Sequence, residues 1–96
     1  MISKDIQRQF LPQFVPLART RLLRCRAALA IDASSIAYEL HALSGEAATL
    51  GLTGFAAEAR AIEAALRRGS EPAAEADRLD RLEASLATLL PRGGES

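Results

Sequence analysis

Tryptophan is absent from this 96-residue sequence, and valine and tyrosine occur only once each. Strands favour β-branched and aromatic side chains, so this scarcity argues against a β-sheet. Alanine and leucine supply most of the apolar residues instead, and both favour helices. The composition therefore predicts an all-α fold.

Long hydrophobic runs and cysteine pairs are also missing. No apolar stretch approaches the roughly 20 residues that cross a bilayer, and residues 1–10 lack the apolar core of a secretion signal. The single cysteine, Cys25, cannot form an internal disulfide, which fits a reducing compartment. We therefore expect a soluble cytoplasmic protein that does not bind membranes.

Neither sign of charge is in excess, because the chain has 12 basic and 12 acidic residues. A net charge of zero gives no global attraction to nucleic acid or to an anionic membrane. The basic residues are concentrated in residues 1–31 and the acidic ones in residues 32–96, which predicts that the two parts attract each other. An arginine cluster in the basic part has no interleaved aromatic residues, so we expect it to pair with the acidic part or with an acidic partner protein, not with nucleic acid. This cluster consists of Arg19, Arg21, Arg24 and Arg26.

Apolar residues recur at helical spacing in four segments of the chain. Asp32 is a candidate N-cap, and Gly51 and Gly69 are candidate helix ends. Residues 3–10 are a candidate short helix before the first segment. The four segments cover residues 12–30, 33–50, 54–68 and 73–90.

Short connections make each helix antiparallel to the one before it, which predicts an up-down-up-down four-helix bundle. A single domain then spans residues 1–96, with its core in about residues 10–90 and a frayed tail at residues 91–96. Because the four apolar stripes cover one another, we expect a monomer without a large apolar cavity. Any function therefore lies on the outer surface.

The only histidine, His41, lies about 140° around its helix from the apolar stripe, on the solvent side. Its helical neighbours all have small side chains, which leaves a flat clearing around the imidazole. These neighbours are Ala37, Ser44, Gly45 and Ala48. Tyr38 flanks the histidine on the exposed side. The candidate partner-binding residues are therefore Ala37, Tyr38, Gly45 and Ala48.

Gly45 is an unfavourable residue inside a helix, because glycine costs roughly 1 kcal/mol relative to alanine there. Two explanations are open at this point. The first is that another protein approaches His41 closely and needs a surface without side chains. The second is that a neighbouring helix of the same chain packs tightly against Gly45.

Residues 40–51, which read LHALSGEAATLG, resemble the motif of the histidine-containing phosphotransfer (HPt) domain, roughly His-x-Leu-Lys-Gly-(Ser/Ala)-x-x-x-Leu-Gly. The resemblance extends over about residues 10–90. It implies a four-helix bundle whose exposed histidine accepts a phosphoryl group from a receiver-domain aspartate and passes it to another receiver. His41 would then be the phosphoacceptor through Nε2, Leu43 its buried anchor and Gly45 the clearance residue. The match also includes Phe55, Ala59, Ile62, Glu63, Arg67, Arg68 and Gly69.

The sequence departs from the HPt motif at Ser44, where the family usually has a lysine. That lysine is a cation beside the phosphoryl group, and Ser44 offers a hydrogen bond without a charge. Counting outward from the turn near Leu52 places Arg60 level with Ser44. Arg60 is therefore a candidate replacement cation, and the alternative is that Arg60 is an ordinary solvated surface charge.

The sequence has no glycine-rich phosphate loop and no histidine cluster for a metal, which argues against a self-sufficient enzyme. The resemblance implies a free-standing phosphocarrier without its own cofactor. Its partners would be response-regulator receivers, which supply Mg²⁺, and a hybrid histidine kinase. The alternative function is a non-phosphorylated HPt-like adaptor that sequesters a receiver or kinase. A kinase dimerisation helix pair fits less well, since Ala42 replaces the usual acidic residue and no proline follows soon after His41.

Overall fold

The computed structural model describes residues 3–89, which form four α-helices and one 3-10 turn. No strand occurs in this part of the chain. The prediction of an all-α helical bundle is confirmed. The α-helices are α1 (Lys4–Ala27), α2 (Ala33–Thr49), α3 (Thr53–Arg67) and α4 (Ala76–Leu86), and the 3-10 turn covers Pro72–Glu75. The predicted tail at residues 91–96 lies outside the described residues.

The first helix is longer than the sequence predicts, because residues 3–10 do not form a separate helix. They belong to the first turns of α1, and the Ser3 hydroxyl caps this helix by accepting from the Ile6 backbone N–H at 3.2 Å. Pro12 and Pro16 both lie inside α1 with exposed rings. An interior proline costs about 3 kcal/mol, so the sequence favours these two prolines only near a helix start or at a kink. Burial of the apolar residues around the prolines holds the segment helical.

The predicted capping residues mark the start of α2 and the C-terminal ends of α2 and α3. The Asp32 carboxylate accepts from the backbone N–H groups of Ser34 and Ser35 at 3.0 and 3.3 Å. Gly51 and Gly69 adopt positive φ angles of 77° and 98° directly after the last turns of α2 and α3. Glycine populates this conformation without steric cost, so it ends both helices.

The core contains almost all of the predicted apolar positions. Leu29, Leu50, Ala76 and Leu89 are exceptions, because they lie at or just beyond helix ends and are only partly buried. An edge-to-face contact between Phe14 and Phe55, with ring centroids 5.8 Å apart, joins α1 to α3. The fully buried large residues are Leu22, Cys25, Ile36, Leu40, Leu43, Ile62, Leu79, Leu82 and Leu86.

The fourth helix starts later than predicted. The 3-10 turn precedes it, and the buried Glu75 carboxylate accepts from the Ser70 hydroxyl and the Arg78 guanidinium at 2.8 and 2.9 Å. These contacts fix the connection between α3 and α4. The α-helix begins at Ala76 and ends at Leu86, whereas the pattern predicts residues 73–90.

Contacts around the bundle link α1 to α2 and α4, and α3 to α2 and α4. The Gln7 side-chain amide, near the start of α1, donates to the carbonyl of Leu50 at the end of α2. The Cys25 thiol, near the end of α1, lies 4.0 Å from the carbonyl of Ile36 near the start of α2. These contacts place α1 and α2 side by side in opposite directions. The up-down-up-down order of all four helices stays a prediction.

Ion pairs between the basic and acidic parts of the chain agree with the expected mutual attraction. Arg26 on α1 pairs with Asp80 and with Glu83 on α4. Arg21 on α1 pairs with Glu39 on α2 at 2.9 Å. Within residues 3–89, no helix is both long and apolar enough to cross a membrane.

Candidate functional site

The imidazole of His41 lies on the outer surface in the middle of α2, and its side chain is 73% exposed. Leu40 and Leu43 on either side of it are fully buried and hold this part of α2 against the core. Since the helix is anchored on the opposite face, the position of the imidazole is fixed by the fold. The exposure agrees with the helical spacing in the sequence.

One nitrogen of the imidazole is held by an acidic residue of the neighbouring helix. The Nδ1 atom of His41 lies 3.2 Å from Oε2 of Glu63, on α3. The Glu63 side chain is only 12% exposed, and the same Oε2 accepts from Nε of Arg67 at 2.8 Å. A carboxylate held by an arginine accepts hydrogen bonds and does not donate them, so Nδ1 carries the hydrogen.

This hydrogen bond determines what the other nitrogen can do. When Nδ1 of a neutral imidazole carries the hydrogen, Nε2 keeps its lone pair. In the described part of the chain, Nε2 of His41 has no hydrogen-bond partner. The arrangement therefore presents an oriented nucleophilic nitrogen at the surface.

The sequence analysis named Glu63 in the family resemblance but did not predict its contact with His41. Glu63 stands between Ile62 and Leu66, both buried, so it lies at the margin of the apolar stripe of α3. An acidic residue at such a margin faces the adjacent helix. That position, together with the register of α2 and α3 on either side of the Gly51 turn, could have predicted the contact between Glu63 and His41.

Ser44 is predicted to offer a hydrogen bond beside the phosphoryl group, but the residue is buried. It is only 2% exposed, and its hydroxyl donates to the backbone carbonyl of His41 at 2.9 Å. The hydroxyl is therefore occupied within α2 and does not lie in the exposed clearing. A serine inside a helix commonly bonds the carbonyl of the preceding turn in this way.

Arg60, the predicted replacement cation, is exposed on α3. Among residues 3–89 it makes no hydrogen bond or ion pair. Arg67 lies two turns further along the same helix and contacts the carboxylate that holds His41. The structure therefore brings Arg67, which the sequence gives only as part of the family resemblance, into the site.

The clearing around His41 is open at Gly45. A Cβ atom added to Gly45 would have no heavy atom within 4 Å, so no neighbouring helix packs against it. The explanation by tight packing within the chain is therefore wrong. Tyr38 is 69% exposed and Ala48 is also exposed, whereas Ala37 is only 4% exposed. Ala37 is thus misplaced among the exposed residues and instead lines a shallow groove shared with Arg67.

A second exposed apolar feature lies on α1, on the flank nearest α2. It consists of Ile6, Phe10 and Leu17, which are 46%, 40% and 61% exposed. Their spacings of four and seven residues put them on one face of the helix. The apolar spacing that predicts α1 marks only its buried face, so it does not predict this exposed stripe.

The remaining reactive groups give no second site. Burial raises the pKa of the Cys25 thiol to about 12, so at neutral pH this cysteine is a protonated core residue. In residues 3–89 no group of three or more histidine, cysteine or acidic side chains is placed to hold a metal ion.

Comparison with known protein families identifies one match, in which the Hpt domain model aligns with residues 9–91. This match covers most of the chain and includes α2, α3, α4 and the greater part of α1. No curated protein and no solved structure matches the chain.

Proposed function

The chain belongs to the Hpt domain family, and from this premise we propose that His41 carries a phosphoryl group between receiver-domain aspartates in a multistep phosphorelay. Hpt domains act in histidine phosphotransfer as phosphocarriers and work together with receiver domains and kinases. The observation that supports His41 as the acceptor is its exposed Nε2, with Nδ1 held by Glu63.

The proposed transfer needs no base on this chain. The lone pair of Nε2 forms the N–P bond while the P–O bond to the receiver aspartate breaks, and that electron pair returns to the aspartate carboxylate. The ring then carries a hydrogen on Nδ1 and phosphorus on Nε2, so it gains a positive charge. The Glu63 carboxylate, 3.2 Å from Nδ1, stabilises this charge, and the reverse step regenerates the neutral imidazole.

The proposed docking surface is the low face around His41. Tyr38, Gly45 and Ala48 lie on it, and the exposed apolar stripe of α1 extends it across the bundle. A surface without long side chains lets the receiver bring its aspartyl phosphate in line with Nε2. We propose that the receiver supplies Mg²⁺ and that the Hpt chain has no cofactor of its own.

The proposal also covers the form in which the protein acts. We propose a single domain that acts as a monomer with its helices in up-down-up-down order, because the apolar stripes of the four helices are buried against one another. We propose that the protein acts in the cytoplasm, where its partners are receiver domains and a hybrid histidine kinase. Neither a nucleic acid nor a membrane is a partner in this proposal.

One observation favours a second candidate function. Ser44 replaces the usual lysine, and its hydroxyl bonds the backbone instead of facing the imidazole. A domain that had lost phosphotransfer could keep its docking face and sequester a receiver or kinase. Such an adaptor would bind receivers without using His41.

The test is phosphoryl transfer from radiolabelled phospho-receivers of the same source to the wild-type protein and to His41→Gln. Acid-labile, base-stable label on the wild type alone is the expected result, with receiver binding retained by both proteins. Glutamine keeps a polar side chain of similar size, so loss of label reports the imidazole and not loss of folding. Receiver binding without label on the wild type would contradict the carrier and favour the adaptor.

A further inference from the structure

Phosphorylation of His41 would place a strongly charged group beside a carboxylate. A phosphoryl group carries roughly two negative charges at neutral pH, and the nearby Glu63 is also an anion. The positive charge of the phosphorylated ring offsets only part of this negative charge, so a further cation beside the phosphoryl group would stabilise the phosphorylated form. Ser44 cannot provide this cation, since it has no charge and its hydroxyl is bonded to the His41 carbonyl.

Arg67 has the position and the free donors for this role. Its Nε atom donates to the same Glu63 oxygen that Nδ1 of His41 contacts, so the guanidinium and the imidazole meet at one atom. In the part of the chain that the structure describes, the two Nη nitrogens of Arg67 make no hydrogen bond. The side chain is 59% exposed, so these nitrogens are open to a group arriving from solvent.

The planar guanidinium lets one arginine serve two anions. It carries five N–H donors in a fixed fork, and only the Nε hydrogen is used by Glu63. The four Nη hydrogens can bind phosphoryl oxygens without breaking the Glu63 contact. Because Glu63 already restrains the side chain, less conformational entropy is lost than for an unrestrained arginine.

We infer that Arg67 binds the phosphoryl group of phosphorylated His41 and bridges it to Glu63, which replaces the missing lysine of the family motif. The inference rests on the proposed function. It assigns to Arg67 the role that the sequence alone suggested for Arg60, which has no anchor of this kind among residues 3–89.

The experiment compares Arg67→Ala with Arg60→Ala, since both replace an exposed arginine on α3. The first readout is the equilibrium distribution of phosphoryl groups between a receiver and the Hpt chain. We expect Arg67→Ala to shift it toward the receiver by about tenfold, in line with the loss of a charge-assisted hydrogen bond, and Arg60→Ala to leave it unchanged. We expect Arg67→Lys to restore part of the loss.

A second readout reports direct contact with the phosphoryl group. The ³¹P resonance of the phosphorylated protein follows the second ionisation of the phosphoryl group, whose pKa a neighbouring cation lowers. We expect this pKa to be higher in Arg67→Ala than in the wild type. We also expect it to be higher in the double variant of Arg67→Ala and Glu63→Gln than in Glu63→Gln alone. If the mutation has no effect in the Glu63→Gln background, Arg67 acts only by positioning Glu63 and the inference is wrong.

The outcomes separate this inference from the proposed function. Label on the wild type with equal distributions for wild type and Arg67→Ala would contradict the inference alone. A shift caused by Arg60→Ala and not by Arg67→Ala would also overturn it. Absence of label on the wild type would contradict the proposed function, and the inference would fall with it.

Discussion

Helix α2 carries an arginine–carboxylate cluster on each of its two flanks, and the clusters differ in how fully their donors are used. On the α1 side, Arg21 donates through Nε and Nη2 to Glu46 at 3.0 and 2.8 Å, and through Nη1 to Glu39 at 2.9 Å. These hydrogen bonds raise the pKa of Arg21, with that to Glu46 as the larger cause. Every nitrogen of the guanidinium has an acceptor, so this cluster joins two helices and has nothing to offer a ligand.

The cluster on the α3 side also pairs an arginine with a carboxylate, but Arg67 has unused donors and His41 has an unused lone pair within residues 3–89. Glu63 receives both His41 and Arg67 on one oxygen, and Nε2 of His41 and the Nη atoms of Arg67 make no hydrogen bond within residues 3–89. A polar cluster with unused hydrogen-bond donors, next to a surface of small side chains, is therefore a candidate binding site. A cluster whose donors are all used has a structural role. The two flanks can therefore be tested separately.

The largest expected difference concerns Cys25, which lies behind the saturated cluster. Burial is the main reason that the pKa of this thiol is raised to about 12, and the charge of Glu39 adds to the effect. Because the thiolate is the reactive form, we expect the native protein to react with a disulfide reagent at pH 8 about a thousandfold more slowly than the unfolded chain. Cys25→Ser provides the blank. Rapid reaction of the native protein would show that the thiol is accessible on this flank, and would contradict the contrast between the two clusters.

The next largest effect is the loss of stability on removing the saturated cluster. Arg21→Ala leaves the Glu39 carboxylate, only 12% exposed, without its closest cation, so we expect the free energy of unfolding to fall by about 2 kcal/mol. Urea denaturation measures this change. Phosphoryl transfer should be unaffected under conditions where the variant is folded. A loss of transfer without a loss of stability would mean that Arg21 belongs to the functional flank.

The smallest effect concerns the clearing itself. Gly45→Ala replaces a glycine that has open space around it, so we expect the protein to be more stable by about 1 kcal/mol. The added methyl group should nevertheless slow transfer, because it stands where the receiver approaches. Gly54→Ala is the matched control, since Gly54 also has no atom within 4 Å of an added Cβ but lies in the first turn of α3. If Gly45→Ala gains stability with no slower transfer, Gly45 is not a clearance residue.

The sequence was sufficient for the features that depend on periodicity and local chemistry. The apolar spacings predict the core, and Asp32, Gly51 and Gly69 mark helix ends because each satisfies a backbone requirement at one position. The exposure of His41 follows from the same spacing. These properties belong to a single helix and need no knowledge of its neighbours.

The features that the sequence analysis missed all depend on tertiary contacts. Counting residues from the turn gives the register of Arg60 but not the contact between Arg67 and Glu63. Ser44 was predicted to offer a hydrogen bond to the phosphoryl group, yet its hydroxyl donates to the backbone carbonyl of His41 in its own helix. A proline is unfavourable in the interior of a helix, yet core packing keeps Pro12 and Pro16 within α1. Which of two possible partners a side chain contacts depends on the packing between helices, and the spacing of residues in the sequence says little about that packing.

The most direct test of the central claim is to identify the phosphorylated nitrogen by heteronuclear NMR after transfer from a phospho-receiver. The claim is that Glu63 holds Nδ1 and leaves Nε2 as the nucleophile. We predict a single phosphohistidine with phosphorus on Nε2 and a hydrogen on Nδ1. Phosphorus on Nδ1, or a phosphoryl group on any residue other than His41, would contradict the account.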